Sequence, residues 1–385
     1  MRRDVAVVGG GPAGLSAAAR LASMGYSVLL LEDDSEIGYP VKCAGIISSD
    51  GLSVIAGACG RAPDGVRLES GEVEVLGHGR IELGIGGLGA FAVDRRAIDR
   101  CLFDAAASHG VDLRLSERAL DVSPGAVTTR RDRYEARAIV DSRGAPAYPR
   151  KDRLLSATQY FCRTRGAARE GHVRIIVDKG SSREYFFWEV WTRGGELLVG
   201  GAGRSPASVE AMVDSLRARA DCAPFRVVRS PIVVGGFAGP GSRGVFRVGD
   251  SAGNAKPLTG GGDVLSLVAS EMASRAISGY LDGELSLAES HALYGRSWRT
   301  RYGREESAQL ALRGLYERMD GDDVWDALEK LRDAGALDRI NAGFDSLGGW
   351  LIASLGVRVL GGMILRRLRA AAGHRDAASA GAESS

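Results

Sequence analysis

Three glycines, Gly9, Gly11 and Gly14, stand in G-G-G-P-A-G directly after the apolar run Asp4 to Val8. Ala and Leu at helical spacing follow from Ala13 to Met24, with Gly25 where a helix would be capped. A second apolar run, Ser27 to Leu31, ends at Glu32, 18 residues beyond Gly14. Strand, turn, helix, strand and acid in that order are the complete fingerprint of a dinucleotide site. Gly9 permits the tight turn, Gly11 lets the backbone approach a pyrophosphate resting on the helix N-terminus, and Gly14 lets helix and strand close. Glu32 is placed to accept hydrogen bonds from both hydroxyls of an adenosine ribose, and its charge disfavours a 2′-phosphate. The fingerprint alone does not choose between FAD and NAD.

A second such region lies at 243–262, where R-G-V-F-R-V-G-D-S-A-G-N-A-K-P-L-T-G-G-G predicts a strand over Val245 to Val248 and a long helix opening at Gly260–Gly262. Asp250 is an acceptor for a hydroxyl, and the Gly262 and Asp263 amides at a helix N-terminus suit an anion. Cys43 reads from its type as a small buried hydrophobe, with a reactive thiol as the other reading. Lys42 beside it would lower its pKa if turned toward it. Tyr185, Phe186, Phe187, Trp188 and Trp191 crowd into seven residues within three strand-like runs, His172 to Asp178, Arg183 to Trp191 and Glu196 to Gly200. These predict an antiparallel meander with Phe186, Trp188 and Val190 on one face and Tyr185, Phe187 and Trp191 on the other. Such a face is either sheet core or the wall of an apolar cavity. None of the five His lies in a recognisable motif, which favours solvated or structural roles, and no metal-ligand spacing is present.

These residues need a sizeable scaffold, and 385 residues predict two or three domains. Hydrophobic residues at 45% and a net charge of +2 exclude wholesale disorder and a basic nucleic-acid footprint. Five scattered Cys (43, 59, 101, 162, 222) predict no disulfide framework and a reducing cytoplasm. No clean stretch of ~20 uncharged apolar residues predicts a spanning helix. From Gly348 to Leu365 only Arg358 is charged, and Arg366, Arg367 and Arg369 follow. That is a basic amphipathic pattern, read either as a helix packed on the protein or as one lying in a membrane interface.

The late strand-Gly-Asp segment resembles that of glutathione-reductase-type flavoproteins, where it contacts the ribityl chain of FAD. E-I-G-Y-P-V-K-C-A-G (36–45), taken with P-L-T-G-G-G (257–262) and with Arg95 and Asp99 of F-A-V-D-R-R-A-I-D-R-C-L (91–102), narrows this. Together they are similar to the geranylgeranyl reductase family, flavoenzymes that saturate isoprenoid chains, including those of archaeal ether lipids. The resemblance implies FAD contacts at Ala13, Glu32, Cys43, Ala44, Ile46, Arg95, Ala119, Asp250, Gly262 and Asp263, a substrate-facing Trp188, and a Cys43 loop beside the flavin ring whose thiol would gate or line the pocket, deliver a proton or form a redox-sensitive disulfide. Asp263 departs from the apolar residue usual after G-G-G, I-V-D-S-R-G (139–144) departs from the usual Asp-Gly, and Phe186 stands where the family has Tyr.

The implied fold is α/β (α+β overall), a Rossmann-like FAD-binding domain of glutathione-reductase type with an inserted antiparallel β substrate domain and C-terminal helices. Its expected parts are 1–65, 91–155 and 236–283 for FAD, 66–90 and 156–235 for substrate, 284–372 for the helical region, and a disordered tail at 373–385. The Gly-rich 235–244 lacks the dinucleotide fingerprint, so reduction is expected from transient NAD(P)H or a ferredoxin-type protein. The expected setting is cytoplasmic, or peripheral at the inner face of the membrane. A monooxygenase or prenyl-chain cyclase of this fold, and a membrane-associated electron-transfer flavoprotein, are the alternatives.

Overall fold

The computed structural model describes residues 2–165 and 169–337. Among the described residues seven α-helices run α1 Pro12–Ser23, α2 Ser49–Cys59, α3 Arg95–Ser108, α4 Pro206–Arg219, α5 Asp263–Leu281, α6 Leu287–Tyr316 and α7 Gly321–Asp333. The central sheet is parallel in the order Val245–Arg247, Arg133–Asp141, Arg3–Val8, Val28–Leu31, Asp112–Arg114. Its middle strand carries V-A-V-V because both of its faces are covered. Val5 and Val7 pack with α1, α3 and α5, while Ala6 and Val8 pack on the opposite side with Val127 and Ile139. Leu15 and Leu21 of α1, both wholly buried, each contribute about 1.5–3 kcal/mol through that burial. The βαβ unit expected at the N-terminus is therefore present, with α1 as its crossover.

The second sheet holds seven strands in the order Cys222–Val233, Leu154–Thr164, Glu196–Gly203, Phe187–Trp191, His172–Val177, Ser70–Val75, Gly79–Leu83. All its pairings are antiparallel except that between His172–Val177 and Ser70–Val75. The meander is as the turn spacing predicts, but its middle strand begins at Phe187 rather than Arg183. The Ser182 hydroxyl accepts from the Tyr185 amide at 3.1 Å and holds the preceding residues in a turn. Alternation therefore fails at Tyr185, which stacks on Phe186 at 4.3 Å instead of joining Phe187 and Trp191. Those two pack against Val209, Val213 and Leu216 of α4, while Trp188 and Val190 face the other way with Phe161 and Val41. A Cβ on Gly200 would come 2.4 Å from the Trp188 ring, so Gly200 makes room for the indole.

One expectation from composition is overturned. Cys162 and Cys222 form a disulfide between the neighbouring strands Leu154–Thr164 and Cys222–Val233, with Cα atoms 5.5 Å apart. They are 60 positions apart, with the Glu196–Gly203 strand and α4 between them, so spacing gave no hint of the pairing. A small third sheet, Ile46–Ser48, Ala90–Val93 and Gly65–Arg67, links the two larger ones in sequence. Capping boxes at Ser286/Glu289 and Asp320/Asp323 start α6 and α7. No helix among the described residues is long and apolar enough to cross a membrane. The amphipathic segment 348–369 and the tail 373–385 lie outside the described residues.

Candidate functional site

The first glycine turn behaves as its residue types require. Gly9 has φ +104°, and a Cβ there would lie 2.4 Å from the Ser142 carbonyl oxygen; one on Gly14 would lie 2.0 Å from the Gly9 oxygen. Gly11, the N-cap of α1, has nothing within 4 Å of a Cβ position. The bare helix N-terminus thus faces open space, a cradle that any side chain on Gly11 would fill. Ser142, which the sequence reading passed over, fixes the turn from below by donating to the Val8 and Gly9 carbonyls at 2.8 and 2.9 Å. Glu32 ends the neighbouring strand almost buried and accepts from the amides of Gly10 and Asp34. Burial, with Asp33 beside it, pushes its carboxyl up to about 7. Ala119, half-buried, packs on the side of the sheet that carries Val8 and Leu31.

The late segment closes on this turn. Gly249, at φ +69°, leaves just enough space for Ala13, whose methyl would sit 2.8 Å from a Cβ there. Ser270 of α5 donates to the Ala13 carbonyl at 2.7 Å. Asp250 follows with a half-buried carboxylate that has no hydrogen-bond donor among the described residues. Burial first, and the negative charge of Asp263 second, raise it to about 6. An acceptor left without donors beside a bare helix N-terminus fits a polyhydroxylated, phosphorylated ligand.

Asp263 is explained by what it touches. Arg95, 10% exposed at the start of α3, lies 2.9 Å from Asp263 and 2.5 Å from Asp99. The charge that departs from the usual apolar residue is therefore one half of a buried ion pair joining α3 to α5. Cys43 completes the group, its thiol 3.5 Å from an Asp263 oxygen and accepting from the Gly45 amide at 3.3 Å. Burial first and Asp263 second push the thiol up to about 12, so it is protonated at neutral pH. Lys42 is exposed, and the charges that act on the thiol are those of Asp263 and Arg95.

Gln159 is the residue sequence reasoning missed. It donates to the Cys43 carbonyl at 3.4 Å and accepts from the Trp188 indole N–H at 2.9 Å. It sits in the strand Leu154–Thr164 beside Ser156 and Thr158, so its residue type gave no distinctive signal in the sequence. Ala44 and Ile46 pack against the same face of the second sheet as Trp188 and Val190. The apolar wall and the cysteine loop are thus held as one unit.

Residues 4–145 match the family model described as FAD dependent oxidoreductase. A digeranylgeranylglycerophospholipid reductase of Methanothrix thermoacetophila is 30% identical over 84% of this chain and 90% of its own. The chain belongs to the geranylgeranyl reductase family of FAD-dependent oxidoreductases. Another relative of that name, from Methanosarcina mazei, is 26% identical over 86% of this chain and 88% of its own. The geranylgeranyl bacteriochlorophyll reductase-like protein of Thermoplasma acidophilum shares the fold, with a TM-score of 0.79 over 92% of this chain and 96% of that one at 17% identity. As a geranylgeranyl reductase family member the chain is an FAD-dependent enzyme. The open Gly11 cradle and the donorless Asp250 carboxylate are consistent with that cofactor.

Proposed function

We propose that the enzyme saturates the double bonds of geranylgeranyl chains on isoprenoid lipids of the archaeal ether type. The observation that carries the reading is the face of Trp188, Val190 and Phe161 packed against Val41, Ala44 and Ile46 and tied through Gln159 to Cys43. It supplies an apolar wall next to the Cys43 thiol beside the Arg95, Asp263 and Asp250 group, where an unfunctionalised alkene needs one. The names of the relatives support the same substrate class.

FAD, held by Gly9, Gly11, Ala13, Gly14, Glu32, Cys43, Ala44, Ile46, Arg95, Ala119, Asp250, Gly262 and Asp263, supplies a hydride when reduced. The protein's own residues do the rest. The second sheet, as the substrate-binding part, holds the chain and excludes water. Cys43 keeps a proton on Sγ, while Arg95 neutralises Asp263 so that the thiol is not left against an unpaired charge. Electrons come from NAD(P)H or a reduced ferredoxin-type protein, and substrate is drawn from a membrane by peripheral contact. The test is anaerobic. Dithionite-reduced enzyme given a geranylgeranyl lipid should reoxidise its flavin as the product gains mass in steps of two hydrogens. Flavin that stays reduced, with unchanged lipid, refutes the reading.

A further inference from the structure

Two of the three free cysteines meet where α2 and α3 pack, away from the Cys43 loop. Cys59 is the last residue of α2, and Cys101 lies midway along α3. The Cys101 thiol donates to the Cys59 carbonyl at 3.5 Å, across 42 positions of chain. Both residues line a cavity of about 530 Å³, together with Arg61 and Asp104. Arg61 and Asp104 are exposed there, and neither has an ion-pair partner among the described residues.

The two sulfurs differ in access. Cys101 is buried, whereas Cys59 is half-buried and borders the cavity. The approach to Cys59 is unobstructed, since a Cβ on Gly57 or Gly60 would have nothing within 4 Å. Gly60, at φ +78°, ends α2 in a left-handed turn that suits glycine and leaves Cys59 at the cavity rim. Burial first and the Cys101 thiol second push the Cys59 thiol up, while the Arg61 charge pulls it down. The pair is therefore held as neighbouring thiols at neutral pH, and exchange through them is slow. The free charges of Arg61 and Asp104 suit a zwitterionic reagent, its carboxylate toward one and its ammonium toward the other.

We propose that Cys59 and Cys101 form a reversible dithiol site whose reagent is a small zwitterionic disulfide entering this cavity. Cys59, as its thiolate, attacks one sulfur of the incoming disulfide and expels the other half as a thiol. Cys101 then attacks the Cys59 sulfur of the mixed disulfide and expels the second half. Two protons and two electrons pass from the cysteines to the reagent, which leaves as two thiols. The new bond joins α2 to α3. Arg95 opens α3, and α2 packs through Gly51 on Val264 of α5, so the link braces the helices around the Arg95–Asp263 pair. It closes between sulfurs that are already neighbours, which makes it a brace and not a shut-off. The inference stands apart from the prenyl-lipid reading.

The test incubates the flavin-loaded enzyme with oxidised glutathione, then denatures it, alkylates it and measures its mass. Alkylated thiols should fall from three to one, with no glutathione retained and one peptide pair joined through Cys59 and Cys101. In Cys101→Ser the reaction should stop at a single glutathione held on Cys59. Three thiols still open to alkylation, a bond that involves Cys43, or glutathione kept on wild-type Cys59 overturns the site. The link should also raise the denaturant midpoint of the wild type and leave that of identically treated Cys59→Ser unmoved. A linked wild type with an unchanged midpoint overturns the brace. Labelling of the wild type decides the bond even where a variant folds poorly.

Discussion

Replacing Gln159 with Leu severs the bridge between the apolar wall and the cysteine loop while keeping much of the side-chain volume. Two hydrogen bonds go, one of 2.9 Å to the Trp188 indole and one of 3.4 Å to the Cys43 carbonyl. A neutral bond contributes about 1 kcal/mol, and a buried group left unpaired costs about 1–3 kcal/mol. The longer bond sits at the weak end, so the loss should be about 2–4 kcal/mol, or about 5–10 °C in Tm by the scaling for large domains. The functional signature differs from simple destabilisation. Flavin content and reduction by dithionite should stay normal at 25 °C, while alkene turnover falls because the Cys43 loop is no longer referenced to the wall. A double-mutant cycle with Trp188→Phe should show a coupling of about 1 kcal/mol or more, since both changes remove one bond. Additive stabilities together with unchanged turnover in Gln159→Leu would refute the bridge.

Cys43→Ser should lower alkene turnover at least tenfold with flavin content and flavin reduction unchanged; wild-type turnover would leave Cys43 a packing residue. Glu32 and Asp250 have folded pKa values raised by burial to about 7 and about 6. The unfolded chain loses those protons near pH 4, so flavin-free protein loses stability as pH rises from about 4 to 7, on the order of 2–3 kcal/mol per site. Calorimetry of stripped protein should show Tm rising from pH 8 to 5.5, and Glu32→Gln/Asp250→Asn should flatten that slope; an unaltered slope counts against the assignment. Reducing the Cys162–Cys222 bridge, or changing both to Ser, frees a loop of 60 residues and should cost about 4 kcal/mol by the chain-entropy relation, read as a lower denaturant midpoint.

What the sequence discloses here depends on how far apart the interacting residues lie. The turn from Gly9 to Gly14 and its strands were legible because the glycine spacing, the helix and the closing acid all fall within thirty residues, while the crowding of Gly9 by Ser142, 133 positions on, was not. The strand at Val245 and helix α5 were legible for the same reason. Arg95 and Asp263 are 168 positions apart, so a charge that one helix needs looked like an oddity when read on the other. Cys162 and Cys222 become neighbours only because the chain makes a strand-and-helix excursion between two adjacent strands. Tyr185 misled for a local reason. Its position obeys the period of two, but Ser182 holds the chain in a turn and postpones the strand to Phe187.

The contact between Ala13 and Gly249 has a consequence for biosynthesis. The residues that close the nucleotide cradle leave the ribosome some 240 positions after the first turn. At about 5–20 residues per second this is a delay of ~12–48 s. From the time the Arg133–Asp141 strand is made, its edge stays open because Val245–Arg247 has yet to arrive. The intervening antiparallel sheet is complete at Val233, before the cradle. A nascent chain therefore passes through a stage with one finished half and one templating edge, when coenzyme cannot yet assist. Aggregation during expression should originate at that stage, and supplying more riboflavin to the host would not relieve it.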